Sequence, residues 1–254
     1  MIIEYHRPEK MAEALDLLSR KSPVTRPLGG GTLLSVANDE EYAVVDLQKL
    51  GLNKISKRGK SLSVGATTTL QSLFQLDLLT PALAQALKLE STRTLRQSAT
   101  VAGALVSADG RSHFACAALA MDPQLILEPD QQKISYGEIL PLRSEKLAGK
   151  LILEIVFPDN VGLSYQYVAR TPADLPIISI ALARWSTGRT RLVVGGFGMA
   201  PHLALDGKDK SGLQEALENT LVGASDQWAS EEYRVEAGRA LLKRAQEDLQ
   251  EEVA

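Results

Sequence analysis

The order of hydrophobic patterns along the chain constrains its fold most strongly. Strand-like and helix-like segments are mixed up to about residue 130, strand-like segments dominate from about residue 133, and segments 213–223 and 230–254 are helical in pattern. The regular alternation of strand and helix that indicates a doubly wound parallel sheet is missing. We therefore predict an α+β protein. The turn-forming stretch at 158–163 is predicted to divide it into domains 1–160 and 161–254.

Local patterns predict several individual elements. The first residues, up to Pro8, are typical of a short strand, and the apolar positions of residues 9–22 fall on one helical face that should end near Pro23. The stretch VGATTTLQSL is predicted to change from strand to helix at its threonines, which are N-cap residues. Segments 133–140, 150–158, 164–170 and 177–185 are strand-like, and Ser186 to Gly188 is predicted to form a hairpin turn.

Charge and hydropathy exclude several classes of protein. Acidic residues outnumber basic ones by 31 to 28, which gives a net charge of −3 and no electrostatic basis for binding nucleic acid. No stretch approaches the ~20 apolar residues of a membrane span, and the N-terminal residues do not resemble a signal peptide. These features predict a cytoplasmic protein.

Cysteine and histidine are too few for a metal centre built by this chain alone. Cys116 is the single cysteine, which excludes an internal disulfide and a cluster held by about four thiolates. It lies in the apolar run FACAALAM and is predicted to be a buried packing residue. The three histidines, His6, His113 and His202, are not grouped as zinc ligands are.

Two stretches of small residues are the candidates for binding a ligand. The first, PLGGGT (27–32), has three consecutive glycines, whose backbone N–H groups can approach a phosphate closely. It matches neither a Walker loop nor a GxGxxG fingerprint. The second, SATVAGALVSADG (98–110), is again rich in small residues. Alone, the first could be an irregular turn and the second close packing, but two such loops together could hold the pyrophosphate of a dinucleotide.

A third stretch, YQYVARTPADLPIISIALA (165–183), carries charged residues beside a turn. We expect Arg170 and Asp174 to form a surface ion pair across that turn. Pairs of this kind contribute only about 0 to 1 kcal/mol.

These stretches, in this order, resemble the medium, FAD-binding subunits of carbon monoxide dehydrogenase and xanthine dehydrogenase. The family's first loop reads approximately Ala-Gly-Gly-Thr-Asp-Leu, and its second reads Ala-Thr-Ile-Gly-Gly-Asn-Leu-Ala. The corresponding segments of this chain are LGGGTLL (28–34), VGATTTLQSL (64–73), ATVAGALVSADGRSH (99–113), VGGFGMAP (194–201) and SDQWASEEYRVEAGRALLKRA (225–245). The likeness thus extends over nearly the whole chain.

The resemblance implies a fold and a cofactor site. The fold would be a FAD-binding domain of two α/β subdomains, followed by a smaller α+β C-terminal domain of the CO dehydrogenase flavoprotein type. The residues expected at the FAD pyrophosphate are Leu28, Gly29, Gly30, Gly31, Thr32, Leu33, Val101, Ala102 and Gly103. Those expected near the pyrophosphate or ribityl chain are Ser107, Asp109 and His113, with Ile152 packed on the isoalloxazine and Gln166 at the flavin edge.

The resemblance also implies a function that depends on partner subunits. A molybdopterin-containing large subunit would oxidise the substrate, a small [2Fe-2S] subunit would carry the electrons to FAD, and the flavin would pass them to NAD or another acceptor. The protein would supply binding, orientation and electrostatic tuning, while the flavin supplies the redox chemistry. No catalytic side chain of this chain's own is expected.

Four departures from the family pattern leave an alternative open. Leu33 stands in place of an acid or amide, Ala104 in place of asparagine, His113 in place of an acid and Gln166 where lysine is common. Each lost side-chain hydrogen bond is worth about 1 kcal/mol. The alternative is a degenerate member that no longer binds flavin and acts as an assembly subunit. A third hypothesis is a flavin reductase or oxidase that works without partners, for which the sequence offers no substrate pocket.

Overall fold

The computed structural model describes residues 1–36, 39–208 and 211–251. Its chain divides into two compact units, each assembled from separated segments. Unit 1 comprises Met1–Gln75, Arg93–Val106 and Pro123–Phe157, and unit 2 comprises Leu76–Thr92, Ser107–Asp122 and the chain from Pro158 onward. The chain passes from unit 1 to unit 2 for the last time after Phe157, close to the predicted domain boundary at residue 160. That boundary stays a prediction.

The chain forms twelve strands and ten α-helices within the described ranges. The strands are β1 (Ile2–His6), β2 (Thr25–Leu28), β3 (Tyr42–Asp46), β4 (Ile55–Arg58), β5 (Ser61–Gly65), β6 (Gln124–Glu128), β7 (Gln132–Ser135), β8 (Leu151–Pro158), β9 (Val161–Val168), β10 (Ile178–Trp185), β11 (Thr190–Gly195) and β12 (His202–Gly207). The helices are α1 (Met11–Ser19), α2 (Leu70–Phe74), α3 (Pro81–Glu90), α4 (Arg93–Ser98), α5 (Val101–Ser107), α6 (His113–Met121), α7 (Tyr136–Ile139), α8 (Arg143–Lys146), α9 (Leu213–Leu221) and α10 (Glu231–Glu251).

Unit 1 contains two sheets. The first is three-stranded, in the order β1-β3-β2, and β3 pairs in parallel with both neighbours. Every residue of β3 is buried, as expected for the central strand of a parallel sheet. The second sheet has the order β4-β5-β8-β6-β7 and contains antiparallel pairs. The glycine stretch follows β2 directly, so the first sheet sets its position.

Local capping explains where several helices of unit 1 begin. The side chain of Thr69 accepts the N–H of Ser72 at 3.0 Å, which confirms the predicted change from strand to helix at the threonines. The prediction of a strand over 133–140 was wrong in its second half. There Ser135 accepts the N–H of Glu138 at 3.2 Å and starts α7 instead. Helix α1 ends at Ser19, earlier than the predicted end near Pro23.

Unit 2 is built on a four-stranded antiparallel sheet of order β12-β11-β10-β9 that is covered on both faces. On strand β10, Ile178, Ile180 and Leu182 pack into a core with residues of α9 and α10. Side chains alternate along a strand, so Ser179 points to the opposite face, where its hydroxyl donates to the Sγ of Cys116 at 3.5 Å in α6. Cys116 is the predicted buried thiol, and burial raises its pKa to about 12.

Other predictions for the second half of the chain are also confirmed. The β10–β11 hairpin turns at Ser186 to Gly188, where Gly188 adopts a φ of 85°. The predicted C-terminal helices are α9 and α10, and residues 252–254 of the second prediction lie outside the described residues. Among the described helices, none combines the length and the apolar composition that a membrane span requires.

Candidate flavin site

The glycine stretch forms a loop directly after β2, and the backbone N–H groups of this loop have no acceptor among the described residues. The N–H groups of Gly29 to Leu34 donate to no acceptor within the described parts of the chain. Carbonyls of the loop accept instead, since Ser35 N–H donates to the Gly31 oxygen at 3.0 Å and Val36 N–H to the Leu33 oxygen at 3.0 Å. Gly31 has a φ of 71°, in the left-handed region that favours glycine. A run of unpaired N–H groups is suited to a phosphate.

Close packing against the second small-residue stretch explains the other two glycines. A Cβ atom on Gly30 would lie 1.7 Å from the carbonyl oxygen of Ser98, which is inside any van der Waals contact. A Cβ atom on Gly29 would lie 2.8 Å from the Oγ1 of Thr100. The two candidate stretches, distant in sequence, are therefore in direct contact, as the two-loop hypothesis requires.

Residues Val101–Ser107 of the second stretch form the helix α5 and not the predicted loop. Val101 and Leu105 are fully buried on one face of α5, and Thr100 Oγ1 accepts the N–H of Gly103 at 3.2 Å. The N–H groups of Val101 and Ala102 donate to the oxygens of Thr68 at 2.8 Å and Ala66 at 3.2 Å. The small-residue composition favours a loop, but the N-cap at Thr100 and the apolar residues four positions apart favour a helix, and the helix forms. The N–H groups at 101–103 thus already have acceptors.

A short hydrogen-bonded path joins this helix to the strand of Ile152. Ala66 donates its N–H to the oxygen of Leu153 at 2.8 Å, and its own oxygen accepts from Ala102. Ile152 is buried in β8, directly before Leu153. Unit 1 therefore connects the glycine loop, the start of α5 and β8, and the contact of Ile152 with the isoalloxazine stays a prediction.

The remaining predicted residues belong to unit 2. Ser107 is exposed at the end of α5, and exposed Asp109 accepts the N–H of Arg111 at 2.8 Å through its side chain. Gln166, in β9, donates through Nε2 to the carboxylate of Asp248 at 2.8 Å. The Gln166 side chain therefore already bonds to α10. The flavin contacts predicted for Ser107, Asp109 and Gln166 stay predictions.

His113 is only 1% exposed and lies among aromatic side chains at the start of α6. Its Nδ1 is 2.7 Å from the hydroxyl of Tyr165, and its ring makes an edge contact with Tyr167 at a centroid distance of 5.2 Å. Burial lowers its pKa to about 4, so the ring is neutral at pH 7. A neutral imidazole thus stands where the family pattern has an acidic residue. The predicted contact of His113 with the flavin stays a prediction.

His113 should make the protein less stable in mild acid. Its pKa is lowered in the folded chain, so the unfolded chain binds the proton first as the pH falls below about 6.5, the ordinary value. The contribution of neutral His113 to the free energy of unfolding is complete above about pH 6.5 and is lost as the pH falls towards 4. Between pH 7 and pH 5 we expect a loss of about 2 kcal/mol in the free energy of unfolding.

The measurement is urea unfolding of the protein and of His113→Asn at pH 7 and pH 5. Asparagine can bond to the Tyr165 hydroxyl and does not titrate in this range. The variant should therefore lose clearly less free energy of unfolding between pH 7 and pH 5 than the protein with His113. An equal loss in both proteins would contradict the assignment to His113.

Two threonines contribute to the site but were not predicted to do so. Thr100 caps α5 and contacts Gly29, and buried Thr68 accepts the N–H of Val101 through its backbone oxygen. The position of Thr100, just before the apolar positions of α5, was an N-cap signal available in the sequence. The role of Thr68 depends on a tertiary contact and has no such signal.

The predicted ion pair between Arg170 and Asp174 is not formed. Neither side chain pairs with an opposite charge in the described residues. The Arg170 guanidinium instead lies over the indole ring of Trp228, 5.0 Å from its centroid. A cation and an aromatic face attract each other, and this contact takes the place of the salt bridge.

The chain is similar to several known proteins. Residues 1–160 match the family model described as the FAD binding domain in molybdopterin dehydrogenase. The glyceraldehyde dehydrogenase medium chain of Sulfolobus acidocaldarius is 25% identical over 236 residues, covering 86% of this chain and 83% of that protein. The protein YgfM of Escherichia coli is 24% identical over 228 residues, covering 88% and 86%.

The fold is that of a known carbon monoxide dehydrogenase chain. A structure of carbon monoxide dehydrogenase from Hydrogenophaga pseudoflava superposes with a TM-score of 0.78 at 21% identity, covering 98% of this chain and 97% of that one. The α+β fold and the matched domain define a flavin-binding chain of the oxidoreductase class. The chain belongs to the family of FAD-binding domains of molybdopterin dehydrogenases, and its cofactor is FAD.

Proposed function

We propose that the chain is the flavin subunit of a molybdenum hydroxylase complex. In this complex a molybdopterin-containing large subunit oxidises the substrate and a small [2Fe-2S] subunit carries electrons to the FAD held here. NAD or another acceptor then receives them, and the complex is cytoplasmic. The proposal is supported by family membership and by relatives named as dehydrogenase medium chains.

The observation that carries the proposal is the run of N–H groups from Gly29 to Leu34 that have no acceptor among the described residues. A pyrophosphate needs several donors at once, and this loop offers them without any rearrangement of existing hydrogen bonds. Its position against Ser98 and Thr100 keeps those donors fixed before the cofactor arrives. Fixed donors bind an anion with little ordering cost.

The departure at position 33 is compatible with this binding mode. The side chain of Leu33 is 56% exposed, and the group proposed to face the pyrophosphate is its backbone N–H. That donor is the same for leucine as for an acid or amide. At 101–103 the N–H groups are already paired, so we assign to α5 the role of supporting the loop through Thr100.

FAD, when bound, supplies two-electron and one-electron redox chemistry, and the chain's residues bind and orient it. The glycine loop would hold the pyrophosphate, and Ile152 on β8 would pack against the ring. The same contacts would exclude water from the cofactor.

The test is an absorbance spectrum of the purified chain, before and after incubation with FAD. We expect flavin bands that persist through desalting at close to one FAD per chain. A colourless protein that also fails to take up added FAD would contradict the proposal. It would favour the degenerate assembly subunit instead.

Partner dependence requires a second measurement. The flavin-loaded chain alone should show no turnover with candidate substrates. Co-expression with the genes of a large and a small subunit should yield a complex that retains the chain through gel filtration. Steady turnover by the isolated chain would contradict the role of an electron-transfer subunit.

A further inference from the structure

Unit 2 contains a surface cavity lined in part by two arginines and a tryptophan. Its volume is about 340 Å³, within the range of small-ligand sites. The polar lining consists of Arg111, Arg170, Asp174 and Trp228, and the remainder is mainly apolar. None of these residues belongs to the proposed flavin contacts, so the cavity needs a separate explanation.

Arg111 is held in place by the backbone that forms the cavity wall. Its Nε donates to the oxygen of Pro176 at 3.0 Å and its Nη2 to the oxygen of Leu175 at 2.7 Å. The guanidinium also lies 4.4 Å from the centroid of the Trp228 ring. Its Nη1 group donates to no acceptor within the described parts of the chain. Arg111 therefore presents unused N–H donors in a fixed orientation.

Arg170 adds a second positive charge over the same ring. It lies 5.0 Å from the Trp228 centroid, is exposed, and forms neither an ion pair nor a hydrogen bond with any described residue. The main chain at Trp228 is anchored, because its backbone N–H donates to the carboxylate of Asp226 at 2.8 Å. The indole, 38% exposed, thus holds two guanidinium groups at one opening.

The charges of the lining favour an anion. Two guanidinium groups and the carboxylate of Asp174 leave one excess positive charge at the cavity, in a chain whose net charge is −3. Like charges placed close together repel, and the indole face offsets this only in part. An oxyanion accepting from both guanidinium groups would remove the repulsion, since the guanidinium fork matches phosphate and carboxylate geometry.

The geometry points to an oxyanion site in this cavity, which binds a small molecule through a phosphate or carboxylate group held by Arg111 and Arg170. The cavity volume limits the ligand to a small molecule. The excess of a single positive charge favours an anion of low charge over a polyanion. The inference uses no flavin contact and goes beyond the proposed function.

The experiment uses the fluorescence of Trp228 in the FAD-saturated full chain. The chain has two tryptophans, so Trp185→Phe leaves Trp228 as the single indole. Saturating FAD occupies the flavin site, and inorganic phosphate and acetate are then titrated separately at constant ionic strength. We expect a saturable change in fluorescence with at least one of them. Phosphate alone would identify a phosphate site, and both would identify a general oxyanion site.

Arg170→Gln is the variant, because Arg170 forms no hydrogen bond with a described residue that the exchange could break. It should weaken binding by at least about tenfold, the effect of losing a charge-assisted hydrogen bond. Arg244→Gln is the matched control, since Arg244 is exposed on α10 in the same unit and its exchange removes the same charge. It should leave the affinity unchanged.

Two outcomes would overturn the inference. One is the absence of any saturable response to either anion, and the other is equal weakening by Arg170→Gln and Arg244→Gln. The absorbance of bound FAD, measured on the same samples, reports separately on the proposed function. A chain that holds FAD but ignores both anions would refute the oxyanion site alone.

Discussion

Replacing Gly30 with alanine is expected to lower the affinity for FAD by at least about tenfold. The added Cβ would lie 1.7 Å from the oxygen and 2.5 Å from the carbon of the Ser98 carbonyl, which is backbone and has no rotamer to change. The glycine loop must therefore move away from α4 and α5. Overpacking of this kind costs about 1–3 kcal/mol, and each 1.4 kcal/mol taken from binding is about tenfold in affinity.

The measurement is FAD binding by absorbance and flavin fluorescence, with circular dichroism to show that the variant is folded. Gly207→Ala is the control, since a Cβ atom there meets no atom of the described residues within 4 Å and its φ is not in the left-handed region. This control should bind FAD normally. Normal affinity in Gly30→Ala would show that the loop does not hold the cofactor.

The fold was predictable in those parts where local pattern and capping agree. Strand β3, the change from β5 to α2 at Thr69, and the hairpin turn at Gly188 each carry a local signal: an apolar run, an N-cap residue or a turn residue. The segment after Ser135 was assigned wrongly as strand. Its serine cap, which starts α7, was outweighed by the apolar residues around it.

The site was predictable only in part, because its geometry depends on tertiary contacts. The three glycines and the stretch at 98–110 could be identified from composition and from the family resemblance. Their direct contact, through Gly30 and the Ser98 oxygen, could not. The same holds for the cavity of unit 2, where Arg111 and Trp228 are distant in sequence and meet only in the fold. Arg170 even had a nearer candidate partner in sequence, Asp174.

Replacing Arg234 with methionine should lower the free energy of unfolding by about 3–5 kcal/mol, the cost of breaking several hydrogen bonds of one buried guanidinium. Arg234 is fully buried at the start of α10, within the segment 225–245 that contributed to the family resemblance. It donates to both carboxylate oxygens of Asp226 at 2.9 Å and to the oxygens of Ile177 and Gly196 at 2.9 and 3.3 Å. It also donates to the Ala224 oxygen.

The effect is large because one side chain donates hydrogen bonds to acceptors in several separate segments of the chain. Methionine fills a similar volume but donates nothing, so buried carbonyl oxygens and the Asp226 carboxylate lose their partner together. Urea unfolding followed by circular dichroism measures the loss. Arg244→Met is the control, since it makes the same exchange at an exposed position of the same helix, and it should change stability by less than about 0.5 kcal/mol. Similar losses in the two variants would mean that the helix, and not the buried network, responds to the exchange.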